Sequence, residues 1–179
     1  MKKIIILVCV LISFNSTADL KEINGISHNG REVTIKTSES LGTVLVFLSV
    51  KCPCSNSHIE EIKRLNVKFK EFKFVGIHSN YSESLKEGLK YFNQSNLNFP
   101  VIHDKDSSIA KLLGAVKTPH AYVINPTGKI IYRGGVTNRS NALKASKKYL
   151  EMSLSDIRSG KLPRVAERKT LGCYIALKD

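Results

Sequence analysis

The sequence predicts an α/β sandwich: a mixed sheet with a mostly parallel centre and an antiparallel edge, flanked by helices. Three observations lead there. Two apolar, β-rich runs, residues 44–50 and 72–77, each precede a stretch whose apolar residues recur at helical spacing. Nearly unbroken runs of this kind suit strands covered on both faces. Farther on, residues 121–124 and 129–133 flank Asn125-Pro126-Thr127-Gly128, a turn that joins antiparallel strands. With 179 residues the chain is long enough for one domain with a proper core, and too short for two comfortable ones.

The elements follow in order. Asn29-Gly30 is a hairpin signal between short strands within residues 25–35. The run 44–50 is the central strand. A helix over 53–70 places Ile59, Ile62, Leu65 and Phe69 on one face, toward the sheet. After the strand 72–77, a helix over 82–93 carries Leu85, Leu89 and Phe92 as its buried stripe. Val101-Ile102 is a short strand, and 106–113 is a short helix capped by Asp106 and closed by Gly114. A final helix covers 141–159, and a basic, proline-containing tail carries Leu171-Gly172-Cys173-Tyr174-Ile175. No internal repeat or low-complexity stretch interrupts this order.

Residues 1–18 have the order of a secretory signal. Lys2 and Lys3 are followed by an apolar run from Ile4 to Ile12 and by the small residues Ser16-Thr17-Ala18 before Asp19. That run is too short to span a bilayer. The expected division is therefore a cleaved signal (1–18), one domain (19–159) and a basic C-terminal tail (160–179), in a periplasmic or secreted protein. Cys9 would leave with the signal.

Cys52, Cys54 and Cys173 remain. Three cysteines cannot pair completely within one molecule, so in an oxidising compartment one thiol stays free or is exchanged. This suits a catalytic relay better than a framework of structural staples. The formal net charge is +13, with basic residues scattered along the first helix and the tail and interrupted by acids. No lysine-arginine block alternates with aromatic residues, so nucleic-acid binding is not expected. A solvated basic surface of this kind allows weak contact with anionic membrane surfaces.

The chemistry concentrates where the central strand runs into its helix, at Ser49-Val50-Lys51-Cys52-Pro53-Cys54-Ser55. A cysteine in the first turn of a helix lies beside unpaired backbone N–H groups and the positive end of the helix dipole, which favour thiolate over thiol. Lys51 adds a positive neighbour. Pro53 suits the first helical position, where its missing donor costs nothing. Cys52 is thus expected near the N-cap, exposed and activated, as the nucleophile.

These residues resemble the thioredoxin superfamily, and within it the redoxin, or AhpC/TSA-like, branch of exported thiol proteins. The resemblance covers roughly residues 40–135. It rests on the strand and helix start at 44–55, on Phe99-Pro100-Val101-Ile102 leading through Ala110 to Gly114, and on Thr118-Pro119 followed by 121–128. It implies a thioredoxin-like three-layer sandwich with a central mixed sheet, a thiol-disulfide oxidoreductase activity without a cofactor or metal, and thiols and disulfides of proteins or small molecules as partners. It also implies that Pro119, after Thr118, is cis and faces the reactive cysteine.

The departures from the family pattern are informative. The second cysteine of the familiar two-residue-spaced pair is replaced by Ser55, and Cys54 stands one position early. A bridge between Cys52 and Cys54 would close a small, strained and readily reduced ring. Redoxin-like proteins carry a late Gly-Cys resembling Gly172-Cys173, which implies Cys173 as an alternative partner for Cys52. Either Cys54 or Cys173 is therefore expected to resolve Cys52.

Two alternatives arise from the same residues. Ser49 stands where peroxiredoxins hold a hydroxyl bonded to the peroxidatic sulfur, which suggests a peroxide reductase. That chemistry also wants an arginine beside the thiolate, a role left to Arg133 or Arg139. His78 and His120 lie at strand ends, where reactive groups gather. They are candidates for proton transfer to a leaving thiolate, although a solvated or core-satisfied histidine is the plainer reading. With Cys52 and Cys54 they suggest a Cu(I) site resembling thioredoxin-fold copper chaperones.

Overall fold

The computed structural model describes residues 20–178. The expected signal, with Cys9, lies outside them. Strands β1 (Glu22–Ser27) and β2 (Glu32–Lys36) form the hairpin about Asn29-Gly30, with Gly30 at a φ of 80°, in the left-handed region. Next come β3 (Gly42–Phe47), α1 (Pro53–Lys68), β4 (Phe72–His78), α2 (Leu85–Gln94), β5 (Val101–His103) and α3 (Ser108–Leu113). The chain continues through β6 (Lys117–Thr118), β7 (His120–Ile124), β8 (Ile130–Gly134), α4 (Tyr149–Arg158) and β9 (Cys173–Tyr174).

Seven strands form one sheet in the order β2-β1-β5-β4-β3-β7-β8. The β5-β4-β3 centre is parallel, and both flanks are antiparallel. Alternation along β3 divides the core. Val44, Val46 and Leu48 pack with Ile59, Ile62 and Leu65 of α1 and Leu150 and Leu154 of α4. Leu45 and Phe47 face the other way, toward Leu113, Tyr122 and Ile175. The result is the expected three-layer, thioredoxin-like arrangement, with α1 packed at the carboxyl end of the central strand.

Local polar groups move several boundaries. The Ser84 side chain and Glu87 form a reciprocal capping box, so α2 starts at Leu85 rather than at Ser82. At α3 the buried carboxylate of Asp104 accepts the N–H groups of Ile109 and Ala110, while Asp106 accepts only that of Ser108. The N-cap is therefore Ser107, in the left-handed region and without a side-chain cap bond, rather than Asp106, and the two acids satisfy the first N–H groups from outside the helix. The helix expected over 141–159 begins only at Tyr149. Asn138 Oδ1 accepts the N–H groups of Ser146 and Lys147, and Asn141 accepts that of Leu143, holding the intervening chain in a loop with one 3₁₀ turn.

The tail docks on the domain. Its backbone pairs with the outer edge of β8 through Arg133 and Arg168. It then crosses to form β9 against β6, with Cys173 opposite Thr118. Ile175 is 8% exposed and enters the second core, a burial worth about 2 kcal/mol. The Ala176 N–H donates to Asn80 and the Lys178 N–H to Ser107.

Candidate active site

The site forms where β3 ends, α1 begins, and the tail crosses β6. Cys52 is the N-cap of α1 in an extended conformation, and the Ser55 N–H points at its sulfur, 3.4 Å away. Pro53 occupies the first turn. Cys52 Sγ is bonded to Cys173 Sγ, across 121 positions of sequence, with the Cα atoms 5.9 Å apart, inside the usual range for such bridges. The sulfur expected to be exposed is instead buried beneath the tail, with Cys52 2% exposed. Cys173 and Cys54 are half-buried.

Thr118-Pro119 is cis. The Thr118 carbonyl oxygen lies 3.3 Å from Cys52 Sγ. In the reduced protein this carbonyl would accept the thiol proton, while the Ser55 N–H would favour the thiolate. Cys54 is free, and the sulfurs of Cys52, Cys54 and Cys173 all lie within 4.8 Å of one another. Ser55, at the place of the missing second cysteine, is fully buried and accepts the Ser49 N–H at 3.1 Å, tying the strand end to the helix start.

Gly172 makes the tail's approach possible. A Cβ there would lie 1.9 Å from the Thr118 carbonyl oxygen and 2.7 Å from its carbon, and backbone atoms cannot yield as a flexible side chain would. Gly172→Ala is therefore expected to push β9 off β6 and to lower the fraction of molecules bridging Cys52 to Cys173. Mass spectrometry of the oxidised variant measures that fraction directly.

Glu83 is the site residue that sequence reasoning missed. Its carboxylate accepts the Ser49 hydroxyl at 2.7 Å and the N–H groups of Val50 at 2.8 Å and Lys51 at 2.9 Å. The fourth partner is His78 Nε2, at 2.8 Å. Both side chains of this pair are buried. Burial alone would raise the Glu83 pKa; the four hydrogen bonds outweigh it and bring the pKa to about 2. A fixed carboxylate thus holds the three residues immediately before Cys52. The available signal, an acid between a strand end and a helix cap, does not reveal a partner more than 30 positions back.

The other expected contributors lie elsewhere. Lys51 forms an ion pair with Glu87 at 3.0 Å, so its charge is engaged at α2. The Ser49 hydroxyl donates to Glu83 rather than to a sulfur. Arg133 pairs with Glu167 of the tail at 2.8 Å, and no guanidinium is bonded to Cys52 among the described residues. Ser49 and Arg133 are thus both engaged with carboxylates, at Glu83 and Glu167. His78 is satisfied by Glu83 and lies against His103. His120 packs on Tyr122, where burial and then Arg133 push its pKa down to about 4. It is neutral near pH 7, and neither histidine belongs to the sulfur cluster.

The family model of the AhpC/TSA family matches residues 16–133. The chain is 29% identical over 103 residues to the thiol-disulfide oxidoreductase ResA of Bacillus thuringiensis subsp. konkukian (strain 97-27), covering 57% of this chain and 59% of that protein. It thus spans less than two thirds of the curated relatives it matches. In fold it is similar to a hypothetical protein of Sinorhizobium meliloti 1021, at 20% identity and a TM-score of 0.79, over 88% of this chain and 91% of that one. It is also similar to a thiol-disulfide oxidoreductase from Bacteroides fragilis NCTC 9343, at 21% identity and a TM-score of 0.54, over 63% of this chain and 86% of that one. With the family match running from before the first strand through the cis-proline to β8, the chain belongs to the AhpC/TSA family of thioredoxin-like proteins.

Proposed function

We propose that this protein is an exported thiol-disulfide oxidoreductase in which Cys52 is the nucleophile and Cys173 the resolving thiol. The observation that carries the reading is the Cys52–Cys173 bridge at the N-terminus of α1, beside the cis Thr118-Pro119 bond. The order of residues 1–18 supports export. Thiols and disulfides of proteins or small molecules are the substrates, and Thr118 and Pro119 shape the edge against which they lie.

In the reducing direction the Cys52 thiolate attacks a substrate disulfide. A Cys52–substrate bond forms, the substrate S–S bond breaks, and one substrate sulfur leaves as thiolate. Cys173 then attacks the Cys52 sulfur, the second substrate sulfur leaves, and the protein is left oxidised as Cys52–Cys173. The substrate gains two electrons and the protein loses two. The Ser55 N–H and the helix dipole lower the cost of the Cys52 thiolate that makes the first attack.

Removing the resolving thiol tests the assignment. Cys173→Ser is expected to accumulate a mixed disulfide between Cys52 and substrate, visible as an added mass on the Cys52 peptide after acid quenching. Full turnover with no trapped species would remove Cys173 from the role.

A second reading has its own support in the three sulfurs within 4.8 Å. Once reduced they form a soft-ligand set suited to Cu(I). The reduced protein would then bind one Cu(I) per chain, and Cys54→Ala would lose it; no uptake by the reduced protein excludes this reading.

A further inference from the structure

Closing one disulfide within a group of three neighbouring sulfurs leaves a thiol behind. Here the remaining thiol, Cys54, is half-buried and within 4.8 Å of both bonded sulfurs. Of those two, Cys173 is half-buried and Cys52 is 2% exposed. Cys54 and Cys173 are thus the two accessible sulfurs of the group, and a turn of the Cys54 side chain that brings it in line with the Cys52–Cys173 bond opens attack at Cys173. That attack also expels the better leaving group, because the Cys52 thiolate would form under the Ser55 N–H at the helix N-terminus.

We propose that the fully oxidised protein is itself a disulfide isomerase, acting on wrongly paired disulfides of other proteins with a thiol handed from Cys54 to Cys52. This rests on the oxidoreductase reading above and extends it to a reaction that needs no reductant. In the handover Cys54, having lost its proton to solvent, bonds to Cys173 Sγ. The Cys52–Cys173 bond breaks, and its electron pair stays on Cys52. One disulfide and one thiolate are present before and after, so nothing is oxidised or reduced.

Cys173 is then no longer bonded to Cys52, and once β9 lifts from β6 the Cys52 thiolate attacks a substrate disulfide and releases a substrate thiolate. That thiolate attacks another sulfur of the same substrate. The last substrate thiolate displaced returns to the mixed disulfide and frees Cys52. The number of disulfides in the substrate is unchanged and only their pairing differs. A two-cysteine version of the site, once oxidised, would have no nucleophile left for this.

The test uses the full protein, oxidised and freed of small thiols, with scrambled ribonuclease A as probe and no added thiol. The wild type is expected to restore ribonuclease activity at least about tenfold faster than oxidised Cys54→Ser. Mapping of the Cys52–Cys173 bridge in that variant checks that it is folded. Alkylating the oxidised wild type with iodoacetamide should yield, besides labelled Cys54, a labelled Cys52 peptide together with a Cys54–Cys173 cross-link. Equal rates for wild type and variant, or label confined to Cys54, overturn the proposal. Reduced wild type is assayed in parallel on insulin disulfides: activity there with no reshuffling by the oxidised form refutes the isomerase alone, and inactivity in both refutes the oxidoreductase reading as well.

Discussion

Cys52→Ser is expected to lower the rate of insulin disulfide reduction by roughly 10³-fold or more, because a hydroxyl cannot form the ionised nucleophile that the exchange requires. Neither remaining cysteine replaces it. Cys54 lies within the helix and Cys173 on the tail, so neither occupies the N-cap position at which the Ser55 N–H stabilises a thiolate. The variant also loses the bridge. Closing a loop of 121 positions stabilises a protein by up to about 4–5 kcal/mol on the chain-entropy account. The fair comparison is therefore with reduced wild type, assayed at a temperature where both are folded. Activity within a few-fold of wild type would remove Cys52 from the centre of the mechanism.

The second large effect is expected at Glu83, which touches no sulfur. Glu83→Ala leaves two backbone N–H groups, the Ser49 hydroxyl and His78 Nε2 without their partner in a buried site. Removing one member of such a set costs about 3–5 kcal/mol, to be read from urea denaturation at neutral pH. Ser49→Ala, which leaves the carboxylate and its other three donors in place, should cost only about 1 kcal/mol.

The pH dependence has a definite sign. Glu83 titrates near 2 when folded, against an ordinary value of 4.5. Its ionised form is thus the one that the fold favours. Its contribution to stability is complete above about pH 4.5 and is lost as the pH falls toward 2. Glu83→Ala should therefore show a flatter loss of stability between pH 5 and pH 2 than the wild type. Parallel acid limbs in the two proteins would mean that the loop is held by something else.

Much of this arrangement was legible in the chain itself. The parallel centre follows from two apolar runs, and the place of Cys52 follows from a strand that meets Pro53 at a helix start. What escaped the sequence was long-range or depended on competition. Nothing local to Glu83 says that it reaches back to Ser49, and nothing in the helical spacing of 141–159 shows that Asn138 will claim the N–H groups of Ser146 and Lys147. The exposure expected for Cys52 failed for a related reason. Burial there is imposed by a tail about 120 positions away, which Gly172 alone allows to lie so close to Thr118.

Mass mapping of the disulfides in protein taken from its own compartment, with thiols blocked at acid quench, decides which sulfur Cys52 is bonded to. The expected result is a principal cross-link between the peptides carrying Cys52 and Cys173, with Cys54 recovered mainly as a blocked thiol. A Cys52–Cys54 cross-link, or Cys52 recovered free in oxidised protein while Cys173 pairs with nothing, would contradict it.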